Sequence, residues 1–205
     1  MSEARFVMTT TNDESQNAVQ KLMEDAEMMA HYSIRQRGSV SPTLLIHGVD
    51  GNVSLSPTSM ADERAKDRFV QQARLVCLAQ GAEAAVFMSE AWMRMPKKLG
   101  EAFDVNIPPS QAADRVETVI IMGETRNSHS QKILPILRTE QGKFMGFGEM
   151  PEILKAADSV KGRFAQFIPP KVPDEETRKL AKQAIEIMGL VEKEDKLERG
   201  QGRSM

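Results

Sequence analysis

The middle third of the chain, Pro42 to Gly148, constrains the fold most, because a hairpin, an amphipathic helix and four further extended segments follow there in order. Alternating apolar residues around Asp50-Gly51, a dipeptide typical of type I′ turns, predict a hairpin at 43–56. An amphipathic helix is predicted over 60–80, with Gly81 as its C-terminal stop. The further strands are expected at 84–93, 116–122, 133–138 and 143–147, the last three as an antiparallel meander.

Helices are predicted on both sides of this region. The segment Thr11 to Glu14 has the form of a capping box, and apolar residues then recur at helical spacing until Gly38. A C-terminal helix is predicted over 174–191, with acidic residues at the positive end of its dipole. Its expected apolar side consists of Leu180, Ala184, Ile185, Met188 and Val191. The sequence therefore predicts an α+β fold, in which an antiparallel sheet of about five to six strands is flanked by an N-terminal and a C-terminal amphipathic helix.

The chain of 205 residues is expected to form one domain with extended ends, since a single core usually serves roughly 100–200 residues. Residues 1–10 are expected to be flexible, and the α+β domain should span 11–168. A Pro-rich linker at 169–173 should be stiff and should connect the domain to the C-terminal helix. The densely charged segment 192–205 is expected to be disordered.

A long loop is predicted between the third and fourth strands. Residues 95–114 contain three prolines and a glycine and show no helical period. Loops longer than roughly 12–15 residues are usually functional or disordered. The loop is therefore either a lid or partner-binding segment or a mobile insertion. A short helical piece is also expected near 151–158.

Composition indicates a cytoplasmic protein without an obvious polyanionic partner. The 27 basic and 29 acidic residues give a formal charge of −2, so nucleic acid is not an expected partner, although Lys97-Lys98 or Arg35 and Arg37 could form a local basic face. No segment approaches the roughly 18 uninterrupted apolar residues that cross a bilayer, and Met1 to Thr11 lacks the apolar region of a secretory signal, so neither membrane insertion nor export is expected. The single cysteine, Cys77, lies in the apolar stripe of a predicted helix, which indicates a core residue in a reducing compartment.

Three histidines, His31, His47 and His129, limit the possible chemistry. None lies in a zinc-ligand spacing, and neither GxGxxG nor GxxxxGK[ST] occurs, so no metal or cofactor is expected. GxSxG is also absent, which leaves no marked serine nucleophile. Each histidine is interpreted as a hydrogen-bonded surface or interface residue, with His47 and His129 kept as weak catalytic candidates.

Glu90 is the third catalytic candidate, because it lies in a predicted strand on the same face as Val86, Met88 and Trp92. A carboxylate among apolar neighbours has a raised pKa unless it is paired. It can therefore serve as a general acid or base. The structural alternative is an ion pair with Arg94, Arg115 or Arg126, or exposure at a sheet edge.

Glu124 and Arg126 are the candidate ligand-binding residues. Together with His129 they flank the polar turn that ends the fourth strand. The three side chains can gather around an anionic ligand, especially if the 95–114 loop folds over them. This prediction depends on the position of the loop, which the sequence does not specify.

The order of helix, two strands, helix, strand meander and helix resembles that of profilin-like and roadblock-like α+β folds, in which helices cover one or both faces of an antiparallel sheet. The resemblance is in element order over residues 11–190 and transfers no functional residue. Missing catalytic spacings, 14 methionines and two terminal helices with apolar faces predict a non-catalytic cytoplasmic binding or regulatory module that acts through protein–protein contacts and self-associates. The alternative is a small-molecule hydrolase or transferase that uses Glu90, His47 or His129 in a pocket under the 95–114 loop.

Overall fold

The computed structural model describes residues 10–94, 104, 106–150 and 163–189. Three helices and six strands occur within these ranges, and the strands form one antiparallel sheet in the order β2-β1-β3-β4-β5-β6. The elements are α1 (Thr10–Arg37), β1 (Thr43–Gly48), β2 (Gly51–Leu55), α2 (Glu63–Gln80), β3 (Ala84–Arg94), β4 (Arg115–Thr125), β5 (His129–Arg138), β6 (Phe144–Phe147) and α3 (Glu175–Ile187). The predicted α+β class is confirmed.

Both faces of the sheet are buried, which explains the continuous apolar runs in its central strands. Alternate residues of β1, β3 and β4 point to opposite sides. One side packs against α1 in a core of Val19, Leu22, Met23, Ala26, Ala30, Ile34, Leu45, Val86, Met88, Val119 and Ile121, with further residues from β5. The other side packs against α2 and α3 in a core that includes Leu44, Ile46, Phe69, Ala73, Cys77, Ala85, Phe87, Ala181 and Ile185. We call these two sides the α1 face and the α2 face.

Helix α2 ends at Gly81 as predicted, but it begins at Glu63, three residues after the predicted start at 60. The Asp62 side chain accepts a hydrogen bond from the Ala65 N–H at 2.7 Å, which satisfies one of the free donors of the first turn. At the other end Gly81 has φ +57°, the left-handed conformation that glycine adopts without steric cost.

The hairpin is present, but its turn lies one residue earlier than predicted. Gly48 pairs with Gly51, so the two loop residues are Val49 and Asp50 rather than Asp50 and Gly51. The reason is a tertiary contact, because the Val49 N–H donates to the carbonyl oxygen of Gln80 at 3.0 Å. A Cβ on Gly48 would clash with the same carbonyl group, so only glycine permits this close approach of the hairpin to α2.

Helix α3 buries a different side from the one predicted. Ile185 is buried as expected, whereas Leu180 and Met188 are 60% and 51% exposed, and Val191 lies outside the described residues. Burial falls on Ala181 and Ile185, one turn apart, because the small alanine side chain lets α3 pack closely on α2. The outer apolar residues of α3 are thus left without cover from the described part of the chain.

The described part of the 95–114 loop lies beside Arg94, the last residue of β3, and Arg115, the first residue of β4. The Arg94 guanidinium donates to Asp114 at 2.9 Å and to the carbonyl oxygen of Asp104 at 3.2 Å. A short 3-10 turn, Pro109–Gln111, precedes Ala112, which is buried. Residues 1–9, the predicted helical piece at 151–158 and the charged segment 192–205 lie outside the described residues.

Candidate functional site

A segment without regular structure, residues 164–170, lies on the α2 face of the sheet, and we call it the strap. Phe164 stacks on Phe87 with ring centroids 4.8 Å apart. Phe167 and Ile168 are buried in the core under α2. These apolar residues therefore pack as part of the domain.

Glu124 holds the strap from inside the protein. Its carboxylate oxygens accept hydrogen bonds from the backbone N–H groups of Gln166 and Ile168, each at 2.7 Å, and the residue is only 5% exposed. A buried carboxylate is tolerated where hydrogen bonds replace the lost water. Gln166 has φ +61°, a left-handed conformation that costs a non-glycine residue about 1–2 kcal/mol. The two charge-assisted hydrogen bonds offset that cost.

The strap, α2 and the β4–β5 turn line an open cavity of about 820 Å³. This volume is in the range of small-molecule pockets, roughly 300–1,000 Å³. Its apolar wall consists of Leu75, Leu78, Phe167, Ile168, Pro169 and Pro170. Its polar residues are Gln71, Arg74, Glu124, Thr125, Arg126, His129 and Gln166. The cavity is therefore mainly apolar with converging polar groups, which is the usual composition of a ligand pocket.

Two arginines line the cavity, and the partners of both are neutral carbonyl groups. Arg74 donates through Nε to the carbonyl oxygen of Gln166 at 3.1 Å. Arg126 donates through Nη2 to the carbonyl oxygen of Ala82 at 2.6 Å. The Nε–H of Arg126 is buried and has no hydrogen-bond partner among the described residues. A buried donor left without a partner costs about 1–3 kcal/mol.

The turn between β4 and β5 places the remaining polar groups. The Thr125 hydroxyl accepts hydrogen bonds from the N–H groups of Asn127 and Ser128, at 3.2 and 3.1 Å, and thereby orders the turn. His129 stands opposite Glu124 in the sheet register, with its Nδ1 4.0 Å from the Glu124 carboxylate and its side chain 43% exposed. The structure thus brings together Glu124, Arg126 and His129, although the strap rather than the described part of the 95–114 loop covers them.

Glu90 has the raised pKa that the sequence predicts, but its hydrogen-bond partner is not one of the expected arginines. Its strand, β3, pairs with β4 at Glu90, whereas the pairing with β1 ends at Met88, so the segment that follows α1 lies on that side of Glu90. Its carboxylate accepts a hydrogen bond from the Val40 N–H at 2.7 Å instead of pairing with one of the three expected arginines. Burial raises the pKa of Glu90, and the nearby charge of Glu117 raises it further, while the Val40 hydrogen bond and the charge of Arg138 lower it. This carboxylate holds the segment that follows α1.

Glu90, His47 and His129 do not meet. His47 pairs with Ala84 on the α1 face, and Glu90 lies six residues further along β3, roughly 20 Å away. His129 lies on the opposite face, because its partner Glu124 pairs with Ala85. The Nδ1 of His47 instead contacts Asn52 Oδ1 at 2.7 Å across the hairpin. The three catalytic candidates therefore do not form a common site.

Arg74 and Gln166 are the site residues that sequence reasoning missed. Arg74 is exposed on α2, and its place in the sequence is that of an ordinary solvent-facing helix residue. Gln166 is 92 residues away along the chain, so no local pattern joins them. The only signal was the apolar run just before the prolines, which indicated burial of the strap but not its place.

The remaining reactive groups give no second centre. Within the described ranges, no group of three or more His, Cys, Asp or Glu residues is placed to hold a metal ion. Cys77 is fully buried, and burial, with the charge of Glu124, raises the pKa of its thiol. His31 contacts Phe147 edge-on at 4.5 Å between α1 and β6.

No family model, curated protein or solved structure matches this chain. None of the described helices is long and apolar enough to span a bilayer.

Proposed function

We propose that this chain is a non-catalytic binding module whose ligand occupies the strap cavity. The observation that carries this proposal is an open, mainly apolar space of about 820 Å³ whose lining includes Arg74, Arg126 and His129. A pocket of this size, with polar groups beside an apolar wall, is suited to hold a small molecule.

Two features support binding rather than catalysis. Glu124 is buried and both of its oxygens accept backbone hydrogen bonds from the strap, which favours a structural role for this carboxylate over that of a general base. A nucleophile needs activation, but the hydroxyls of Thr125 and Ser128 bond each other at 2.8 Å, and Cys77 is buried. The buried free thiol also supports a cytoplasmic location, where thiols stay reduced.

A fragment screen of the ¹⁵N-labelled protein by NMR tests the proposal. We expect a subset of small molecules to shift the amide signals of the strap and of residues 124–129. The variant Leu78→Trp fills the apolar wall and should abolish these shifts. The control Ile107→Trp adds the same side chain at an exposed position far from the cavity and should preserve them.

Two results would contradict the proposal. One is a screen in which no compound shifts the signals of the cavity residues while the spectrum shows a folded protein. The other is undiminished binding to a folded Leu78→Trp variant.

A second candidate function, contact with another protein or a second copy of the chain, is supported by α3. Leu180, Ile187 and Met188 recur at helical spacing, and Ile187 is 86% exposed. Such an apolar stripe is typical of a protein-binding helix. Light scattering across a concentration series should show self-association that Ile187→Glu removes and the neighbouring exposed change Lys179→Glu does not. A protein that stays monomeric throughout the series would exclude self-association.

A further inference from the structure

We propose that the strap cavity binds an amphipathic monoanion, a small molecule with one carboxylate and an aliphatic or aromatic body. This inference rests on the proposed function, because it specifies the ligand class of the same cavity. It is carried by the charges of the lining residues and by the chemistry of the walls.

The charge of the lining favours a single negative group. Arg74 and Arg126 oppose one carboxylate, that of Glu124, which leaves one positive charge uncompensated with His129 neutral. Both oxygens of Glu124 accept hydrogen bonds from the strap backbone, and neither arginine donates to Glu124 in the part of the chain that the structure describes.

Arg74 and Arg126 supply the positive charge that a ligand carboxylate would meet. Arg126 donates through Nη2 to the Ala82 carbonyl, and Arg74 donates to the carbonyl groups of Ala165 and Gln166, so the hydrogen-bond partners found for both among the described residues are neutral. A carboxylate oxygen is the strongest common acceptor for a guanidinium N–H. A hydroxyl would satisfy the same donor without neutralising the charge, and an ammonium group would be repelled by both arginines.

The walls match the apolar body of such a molecule. Leu75 and Leu78 come from α2, while Phe167 and Pro169 come from the strap. The β4–β5 turn supplies Arg126 and His129. A ligand with its carboxylate toward this turn can therefore place a hydrocarbon chain or ring between α2 and the strap.

Three probes of equal chain length separate charge from apolar contact: octanoate, octan-1-ol and octylammonium, each titrated into the full chain and followed by NMR. We expect octanoate to bind at least about tenfold more tightly than octan-1-ol, with octylammonium weakest. Arg126→Gln should reduce octanoate affinity to that of octan-1-ol and leave octan-1-ol unchanged. The control Arg68→Gln changes an exposed arginine of α2 outside the cavity and should alter neither affinity.

The outcomes separate this inference from the proposed function. Equal affinities for the three probes would overturn the charge inference, while the cavity would still be a binding site. If none of the three probes binds, the charge inference is overturned as well. The fragment screen then tests independently whether the cavity is a binding site. If Arg126→Gln does not fold, the salt dependence of binding to the wild-type protein tests the charge inference instead. The affinity for octanoate should fall as the salt concentration increases, whereas the affinity for octan-1-ol should not. An octanoate affinity that is insensitive to salt refutes the inference.

Discussion

Replacing Glu124 with glutamine tests how the strap is held. Glutamine keeps the shape of the side chain but has one acceptor oxygen instead of two. One of the two strap N–H groups, of Gln166 or Ile168, then faces an amide NH₂ group instead of an acceptor at 2.7 Å. The other keeps a hydrogen bond, but to a neutral oxygen.

The magnitude follows from these two changes. A hydrogen bond to a charged group contributes about 1.5–3 kcal/mol, and one between neutral groups about 0.5–1.5 kcal/mol. Loss of one bond and weakening of the other should therefore lower the free energy of unfolding by about 2–4 kcal/mol. Because Gln166 adopts a left-handed conformation, the strap should also open locally before the domain unfolds.

Urea unfolding followed by circular dichroism measures the first effect, and hydrogen exchange at the amides of Gln166 and Ile168 measures the second. Glu140→Gln is the matched control, since Glu140 is exposed in the turn between β5 and β6 and should change stability by less than about 0.5 kcal/mol. If Glu124→Gln behaves like this control and the two amides exchange at the wild-type rate, Glu124 does not hold the strap.

Three further predictions address the core. Gly123→Ala should destabilise the protein by about 1–3 kcal/mol in thermal unfolding, because the added Cβ would lie 2.8 Å from Val19 Cγ2 on α1; an unchanged melting temperature would refute this close packing. Burial raises the pKa of Glu90 above its ordinary 4.5, so the protonated carboxyl is favoured in the folded protein. The free energy of unfolding should therefore fall as the pH rises from about 4.5 through the raised pKa of the folded state. Glu90→Gln keeps an acceptor for Val40 and should flatten this part of the pH–stability profile, and an unchanged profile would argue against it. Cys77 should react with a thiol reagent only after unfolding, and rapid labelling of the native protein would contradict its burial.

Much of the fold could be predicted because its signals are local. The alternation around the hairpin and the 3.6-residue period of α1 and α2 each depend on neighbours a few residues apart. The capping residue Asp62 and the stop at Gly81 define α2 in the same way. The hairpin turn was shifted by one residue because a contact with Gln80, distant in sequence, outweighed the local preference of Asp50-Gly51.

The site was only partly predictable because it depends on strand order and on contacts across the chain. Glu124, Arg126 and His129 belong to one turn, so the sequence places them together. The strap residues that bond Glu124 are 42 and 44 positions away, and nothing local identifies them. Strand order also decides that His47 and His129 lie on opposite faces, which no single segment of sequence shows.

The strap is ordered by contacts within the protein, and this affects how the cavity can bind. Glu124 holds its backbone, Phe164 stacks on Phe87, and Arg74 donates to its carbonyl groups. The conformational entropy of ordering the strap is therefore lost during folding and does not oppose binding. A ligand should consequently shift the amide signals of the cavity walls and leave those of α1, on the other face of the sheet, unchanged. Changes that spread to α1 would mean that binding reorganises the domain instead of filling a formed pocket.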